Sequence, residues 1–197
     1  MKPLIFIIST SFFLISSTLI QKSDYSLSDD FTMTIAGTSS LHDWESTVEK
    51  LEGVVNLSFG EDGTITINEC TVKAHAASIK STKGSIMDKK THKALKTDEF
   101  AFITFKMEKV LSSTKTADAF TASVQGNLSI AGVTKNITLK VKGKTLEDGA
   151  VEFMGEQSLK MTDFDIDPPT ALLGTLSNMI CSTFGKPTLG LTASRIV

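Results

Sequence analysis

Cysteine is nearly absent from this chain, with two among 197 residues. Two thiols cannot build a disulfide framework or a four-thiolate zinc site. Histidine is almost as scarce: His42, His75 and His92 are the only three, and their spacing fits no H-E-x-x-H zinc motif. Neither sign of charge dominates. The chain has 20 Lys+Arg against 22 Asp+Glu, a net charge of −2, which argues against nucleic acid as a partner. There is no Gly-x-Ser-x-Gly elbow and no glycine-rich phosphate loop ahead of a Lys-Ser/Thr pair. Cys70 and Cys181 lack the neighbouring His or Lys of an activated thiol. They could pair across a long loop or stay as separate buried thiols. The inventory of catalytic groups is close to empty, and no metal or cofactor is expected.

What is present is ordinary in bulk: 41% hydrophobic and 21% charged residues in a length that suits one domain. The distribution is uneven. Lys2 precedes Leu4 to Ile20, seventeen uncharged residues of which eleven are Leu, Ile or Phe. A positive start followed by a short apolar core is the layout of a secretory signal peptide, although no A-x-A-like exit follows. Six Ser and Thr residues dilute the stretch, which weakens the rival reading of a membrane anchor. Residues 1–20 are therefore read as an export signal and 21–197 as one folded domain, periplasmic or secreted.

Most of that domain alternates in strand fashion. Phe120, Ala122, Val124, Gly126, Leu128 and Ile130 interleave with Thr121, Ser123, Gln125, Asn127 and Ser129, giving one apolar and one polar face. Ile137, Leu139 and Val141 repeat the pattern, as do Ile103, Phe105 and Met107, then Phe31, Met33 and Ile35, then Val72, Ala74 and Ala76. Ala131-Gly132, Glu61-Asp62-Gly63 and Glu147-Asp148-Gly149 read as turns between runs. Only Ser85 to Lys96 looks helical. With no second helical layer, short turns imply an antiparallel sheet whose apolar faces cover one another. The expected fold is all-β, an eight-stranded sandwich or closed barrel with one short helical excursion over about 85–96. A barrel of that size can hold one small ligand.

Three candidates for chemistry remain. His75 should face outwards, opposite Ala74 and Ala76. His42-Asp43-Trp44 places the only Trp beside a charged pair, read as a core anchor next to a solvent-facing pair. Asp163, Asp165 and Asp167 lack the Gly and Glu of a calcium loop and read as the wet face of a strand ending at Pro168-Pro169.

The segment Val124-Gln-Gly-Asn-Leu-Ser-Ile-Ala-Gly-Val-Thr-Lys-Asn-Ile-Thr-Leu-Lys-Val141 closely resembles a stretch of the YceI-like, polyisoprenoid-binding family. Gly37-Thr-Ser-Ser-Leu-His-Asp-Trp44, Ile79 through Phe105, and Leu159-Lys-Met-Thr-Asp-Phe-Asp-Ile166 follow the order of that family. The chain departs from it at Ala101, where members usually carry Pro, and at Thr91-His92-Lys93-Ala94-Leu95, which replaces an acidic-x-His-Leu element. The resemblance implies a lipocalin-like extended barrel in the bacterial cell envelope. It implies non-catalytic binding, storage or transport of an isoprenoid or similar long apolar lipid in an internal tunnel. A homodimer stays open. Alternation places Met33, Ile35, Val72, Ala74, Ile103, Phe105, Phe120, Val124, Leu128, Ile137 and Leu139 on the lining face, with Trp44 beside them. Two other classes stay open: an exported stress-response or adhesion scaffold working through its outer surface, and a lipid-modifying enzyme using His42 and Asp43.

Overall fold

A strand with one apolar face must bury that face against other strands, because successive side chains point to opposite sides. The computed structural model of the chain describes residues 21–37, 44–116, 119–167, 175–177 and 182–187. In chain order its strands are β1 (Gln21–Leu27), β2 (Thr34–Gly37), β3 (Trp44–Val48), β4 (Leu51–Phe59), β5 (Ile65–His75) and β6 (Ile79–Ser81). After a helix, α1 (Ser85–Ala94), come β7 (Phe102–Thr116), β8 (Ala119–Ile130), β9 (Val133–Thr145), β10 (Val151–Glu156), β11 (Leu159–Lys160), β12 (Thr175–Ser177) and β13 (Ser182–Pro187).

Eight of these strands close into an antiparallel barrel in the order β1-β13-β10-β9-β8-β7-β5-β4. The alternation of β8 explains why. Phe120, Ala122, Val124, Gly126, Leu128 and Ile130 are all buried on its inner side, while Thr121, Ser123, Gln125, Asn127 and Ser129 reach the surface at least in part. The expected turn Ala131-Gly132 joins β8 to β9 as a two-residue hairpin. Both residues have positive φ, 48° and 86°, as a tight hairpin matching the strand twist requires. The helix falls inside the expected 85–96 stretch. His92 helps to seat it, its Nε2 donating to the Ile79 carbonyl at 3.0 Å.

A second sheet, β11-β12-β2-β3-β6, was not expected. Its strands are two to five residues long, too short for alternation to register. Strands β3 and β6 connect within a few residues to the start of β4 and the end of β5. The sheet therefore lies at the end of the barrel where Ala74 and Ile103 sit. Ile35 belongs to this sheet rather than to the barrel wall. The acidic stripe also differs from expectation. Met161–Phe164 form a 3-10 turn, and Asp165 adopts a left-handed conformation with φ 52°. Asp163, Asp165 and Asp167 are exposed while Phe164 and Ile166 are buried. The aspartates are thus the wet side of a turn, not of a strand.

Two aromatic rings are laid on glycines inside the barrel. A Cβ on Gly126 would stand 2.5 Å from the Lys106 carbonyl oxygen and 2.7 Å from the Phe105 ring. A Cβ on Gly143, directly opposite Phe120 across the β8–β9 ladder, would run into the Phe120 ring. Phe120 is also fixed from the other side by Phe153, with ring centroids 5.6 Å apart and nearly perpendicular. Gly143→Ala should therefore cost about 1–3 kcal/mol as an overpacking substitution. Urea unfolding should record this as a lower midpoint with unchanged slope. A midpoint equal to that of the parent chain would mean that Phe120 can move aside freely.

Candidate functional site

The inward faces of the strands do not fill the barrel completely. They leave a cavity of about 140 Å³. Its wall takes Val55 from β4, then Ile67, Cys70, Val72 and Ala74 from β5. Strand β7 adds Ile103, Phe105 and Met107, β8 adds Val124 and Leu128, and β9 adds Leu139 and Val141. Met33 contributes from one side, and Phe153 to Gln157 from the other. The polar side chains on this wall are Cys70, Glu156 and Gln157, and Glu156 is exposed, so the polar groups other than Cys70 sit at a rim. The volume is close to that of an engineered apolar cavity of about 150 Å³ that stays dry and takes up benzene. The room is therefore about that of one isoprene unit. Flexible Met33 and Met107 can adapt their shape around an occupant.

Of the twelve residues expected at the site, Met33, Val72, Ala74, Ile103, Phe105, Val124, Leu128 and Leu139 line this cavity. The other four lie elsewhere. Ile35 and Ile137 are half-buried and pack on the edge of the core. Trp44 is half-buried with its ring against Gly37; its buried Nε1 has no hydrogen-bond partner among the described residues. Phe120 lies deeper along the barrel. It lines a second cavity of about 230 Å³ with Ile65, Ile67, Val110 and Ala122. It also lines a third, of about 560 Å³, with Lys115, Lys144 and Leu146 at the turn end.

Sequence reasoning missed Ile67 and Cys70 as lining because the ladder between β4 and β5 skips a residue. Asn56 pairs with Glu69 and Leu57 with Ile67, leaving Asn68 over as a bulge. One extra residue reverses the alternation, so Ile67 and Cys70 both face inwards although three positions apart. The outward Asn68 amide donates to Asn56 and Ser58, each at 2.7 Å.

The site holds little that could do chemistry. Among the described residues no group of three His, Cys, Asp or Glu side chains could hold a metal ion. His75 lies on the outer face as expected, with Nε2 2.5 Å from Glu52 Oε1 and its ring edge-on to Phe102. His42, Asp43 and Cys181 lie outside the described residues. Cys70 is enclosed by apolar neighbours, and burial pushes its thiol up to about 12. Its remaining exposure is towards the cavity that it lines. At neutral pH it is a small apolar wall group, not a nucleophile.

The YceI-like domain matches residues 17–181 of the chain. No curated protein matches it in sequence. Burkholderia cenocepacia BcnA superposes with a TM-score of 0.63 at 12% identity, over 78% of this chain and 95% of that one. A polyisoprenoid binding domain from Saccharophagus degradans, implicated in plant cell wall breakdown, superposes with a TM-score of 0.61 at 10% identity, over 85% of this chain and 100% of that domain. The Campylobacter jejuni YceI protein follows with 0.55 at 19% identity, over 72% of this chain and 84% of its own. At these identities the likeness is one of fold.

A Cys181→Ser variant leaves Cys70 as the single thiol, so its state can be read directly. A shift from the ordinary 9.0 to about 12 depletes the reactive thiolate. Higher intrinsic nucleophilicity offsets about half of that, leaving a rate deficit of roughly thirtyfold before access is counted. Disulfide-reagent labelling of the folded protein should be slower than that of the urea-unfolded chain by at least this factor. Equal rates would mean an open thiol. The folded state holds this proton more tightly than the unfolded chain. Its contribution to stability is therefore complete below about pH 9 and is lost as pH rises towards about 12. A Cys70→Ala variant should lack that alkaline loss.

Proposed function

The chain belongs to the YceI-like family, and on that premise we propose that it binds an isoprenoid or similar apolar lipid without transforming it. The observation carrying this reading is the cavity inside the barrel, walled by aliphatic, aromatic and methionine side chains with its carboxylate and amide confined to the rim. Such a wall rewards loss of apolar surface from water and offers nothing to polarise a bond. Each buried CH₂ contributes about 0.8 kcal/mol, so one five-carbon unit gains about 4 kcal/mol before ordering costs. One methylene more or less changes affinity little, so the site selects an apolar class rather than one molecule.

The export reading of residues 1–20 completes the proposal. A carrier delivered to the periplasm or secreted from the cell would hold a lipid between membranes or store it in the envelope.

Lipid extracted from the purified protein and weighed by mass spectrometry tests the proposal directly; an extract with no isoprenoid or other long apolar lipid would sink it. A filled cavity provides the control. Ala74 is 2% exposed and lines the cavity, so Ala74→Leu should occupy the space that the ligand needs. Affinity should fall at least about tenfold, equivalent to about 1.4 kcal/mol. Stability without ligand should hold or rise by about 0.5–2 kcal/mol, as cavity filling does. Full affinity in a folded Ala74→Leu protein would place the lipid elsewhere.

A further inference from the structure

The barrel wall is not equally closed all round. Strand β5 stays paired to β4 down to Ile65, opposite Phe59. Strand β7 stays paired to β8 down to Thr116, opposite Ala119. Yet β5 and β7 pair with each other only from Thr71–His75 to Phe102–Lys106. Below Thr71 and Lys106 the two ladders run on while the one between them has stopped.

The parting has a local cause. Just past Lys106 the β7–β8 ladder shifts register twice, between Met107 and Lys109 and between Val110 and Ser112, leaving Glu108 and Leu111 over. Bulges bend a strand and raise its twist, which carries β7 away from β5. The gap is occupied by the cavity of about 230 Å³. Thr64 to Ile67 form one lip, Val110, Ser113 and Lys115 the other, and Phe120 and Ala122 the back. Ile67 belongs to the walls of both this cavity and the central one. Cys70 and Met107, which line the central cavity, are the next inward residues on either side of the gap.

We propose that this slot between β5 and β7 is the side entrance by which an apolar chain reaches the central cavity, passing Ile67. The inference rests on the lipid-binding reading and gives it a route. It also accounts for length. The central cavity has room for about one isoprene unit, so the rest of a longer chain lies in the slot against Ile65, Val110 and Phe120. The hydroxyls of Thr66 and Ser113 at the lips suit the polar end of an amphiphile, while Thr64 and Lys115 are held by Asp62. The rival route is the rim at Met154 to Gln157, where the central cavity also reaches the outside.

A reversible clamp across the lips distinguishes the two routes. In the Cys181→Ser background, Thr66→Cys and Ser113→Cys are bridged by a maleimide linker with a reducible disulfide. Uptake of an anthraniloyl-tagged farnesol is then followed by fluorescence. The bridged protein should load at least tenfold more slowly than the unbridged one, and reducing the linker should restore the rate. Unchanged loading of the bridged protein would overturn the proposal in favour of the rim. No uptake by the unbridged parent would overturn the lipid reading itself, and the entrance with it. Ile67→Val, which needs no cross-link, should load several-fold faster. An unaltered rate in that variant would also count against passage at Ile67.

Discussion

Phe105 lies over Gly126 and Phe120 over Gly143, and the free space in the barrel follows from those two contacts. An eight-stranded barrel is just wide enough for side chains to fill it or to hold one small ligand. A phenylalanine on an inward position would by itself decide for filling. Folding the ring onto a glycine of the neighbouring strand lays it along the wall, where it covers exposed backbone and leaves the axis free. Phe105 then borders the central cavity instead of occupying it, while Phe120, braced by Phe153, lies against the wall deeper along the barrel and borders the two cavities there. A side chain on either glycine would push its ring into the remaining space, so stability and capacity are controlled by the same pairs.

Function of this kind asks for surface and volume, not for reactive groups, which is why the scarcity of histidine and activated thiol fits what the interior offers. A buried carboxylate or amine in that wall would need a partner or would be forced neutral. Among the described residues, the one titratable group that lines it away from the rim, the Cys70 thiol, is held neutral by burial. The lining instead gathers residues whose only property is shape: Val, Leu and Ile where the wall is regular, and Met where it must give way.

The architecture was legible in the sequence because two long strands alternate clearly, β8 from Phe120 to Ile130 and β9 from Ile137 to Val141. Eight of the twelve expected residues line the central cavity for the same reason. Alternation reports which face a side chain is on but not its height along the strand or the sheet that the strand joins. Phe120 is inward yet lies towards the turn end, and Ile35 sits in a second sheet of strands too short to read. The remaining gap is due to bulges. Asn68, Glu108 and Leu111 each insert a residue, so Ile67 with Cys70, Met107 with Val110, and Val110 with Ser113 share a face at a spacing of three. No period-two pattern can announce that.

The irregularities that hide those residues from the sequence are also the ones that part the wall. A continuous ladder from β5 to β7 would satisfy more backbone groups and leave no exposed strand edges, which are otherwise a liability for pairing with other chains. Two bulges within a few residues, placed where the pairing ends, keep the edges bent and twisted. A flat partner strand cannot add to such edges. A closed barrel with its cavity sealed inside would have to unfold in part to admit a ligand. Here the break in the ladder opens onto Ile67, the side chain that borders both the outer cavity and the inner one. Access is thereby separated from stability: the ladders β4–β5 and β7–β8 hold the barrel while the space between them stays free to transmit a chain.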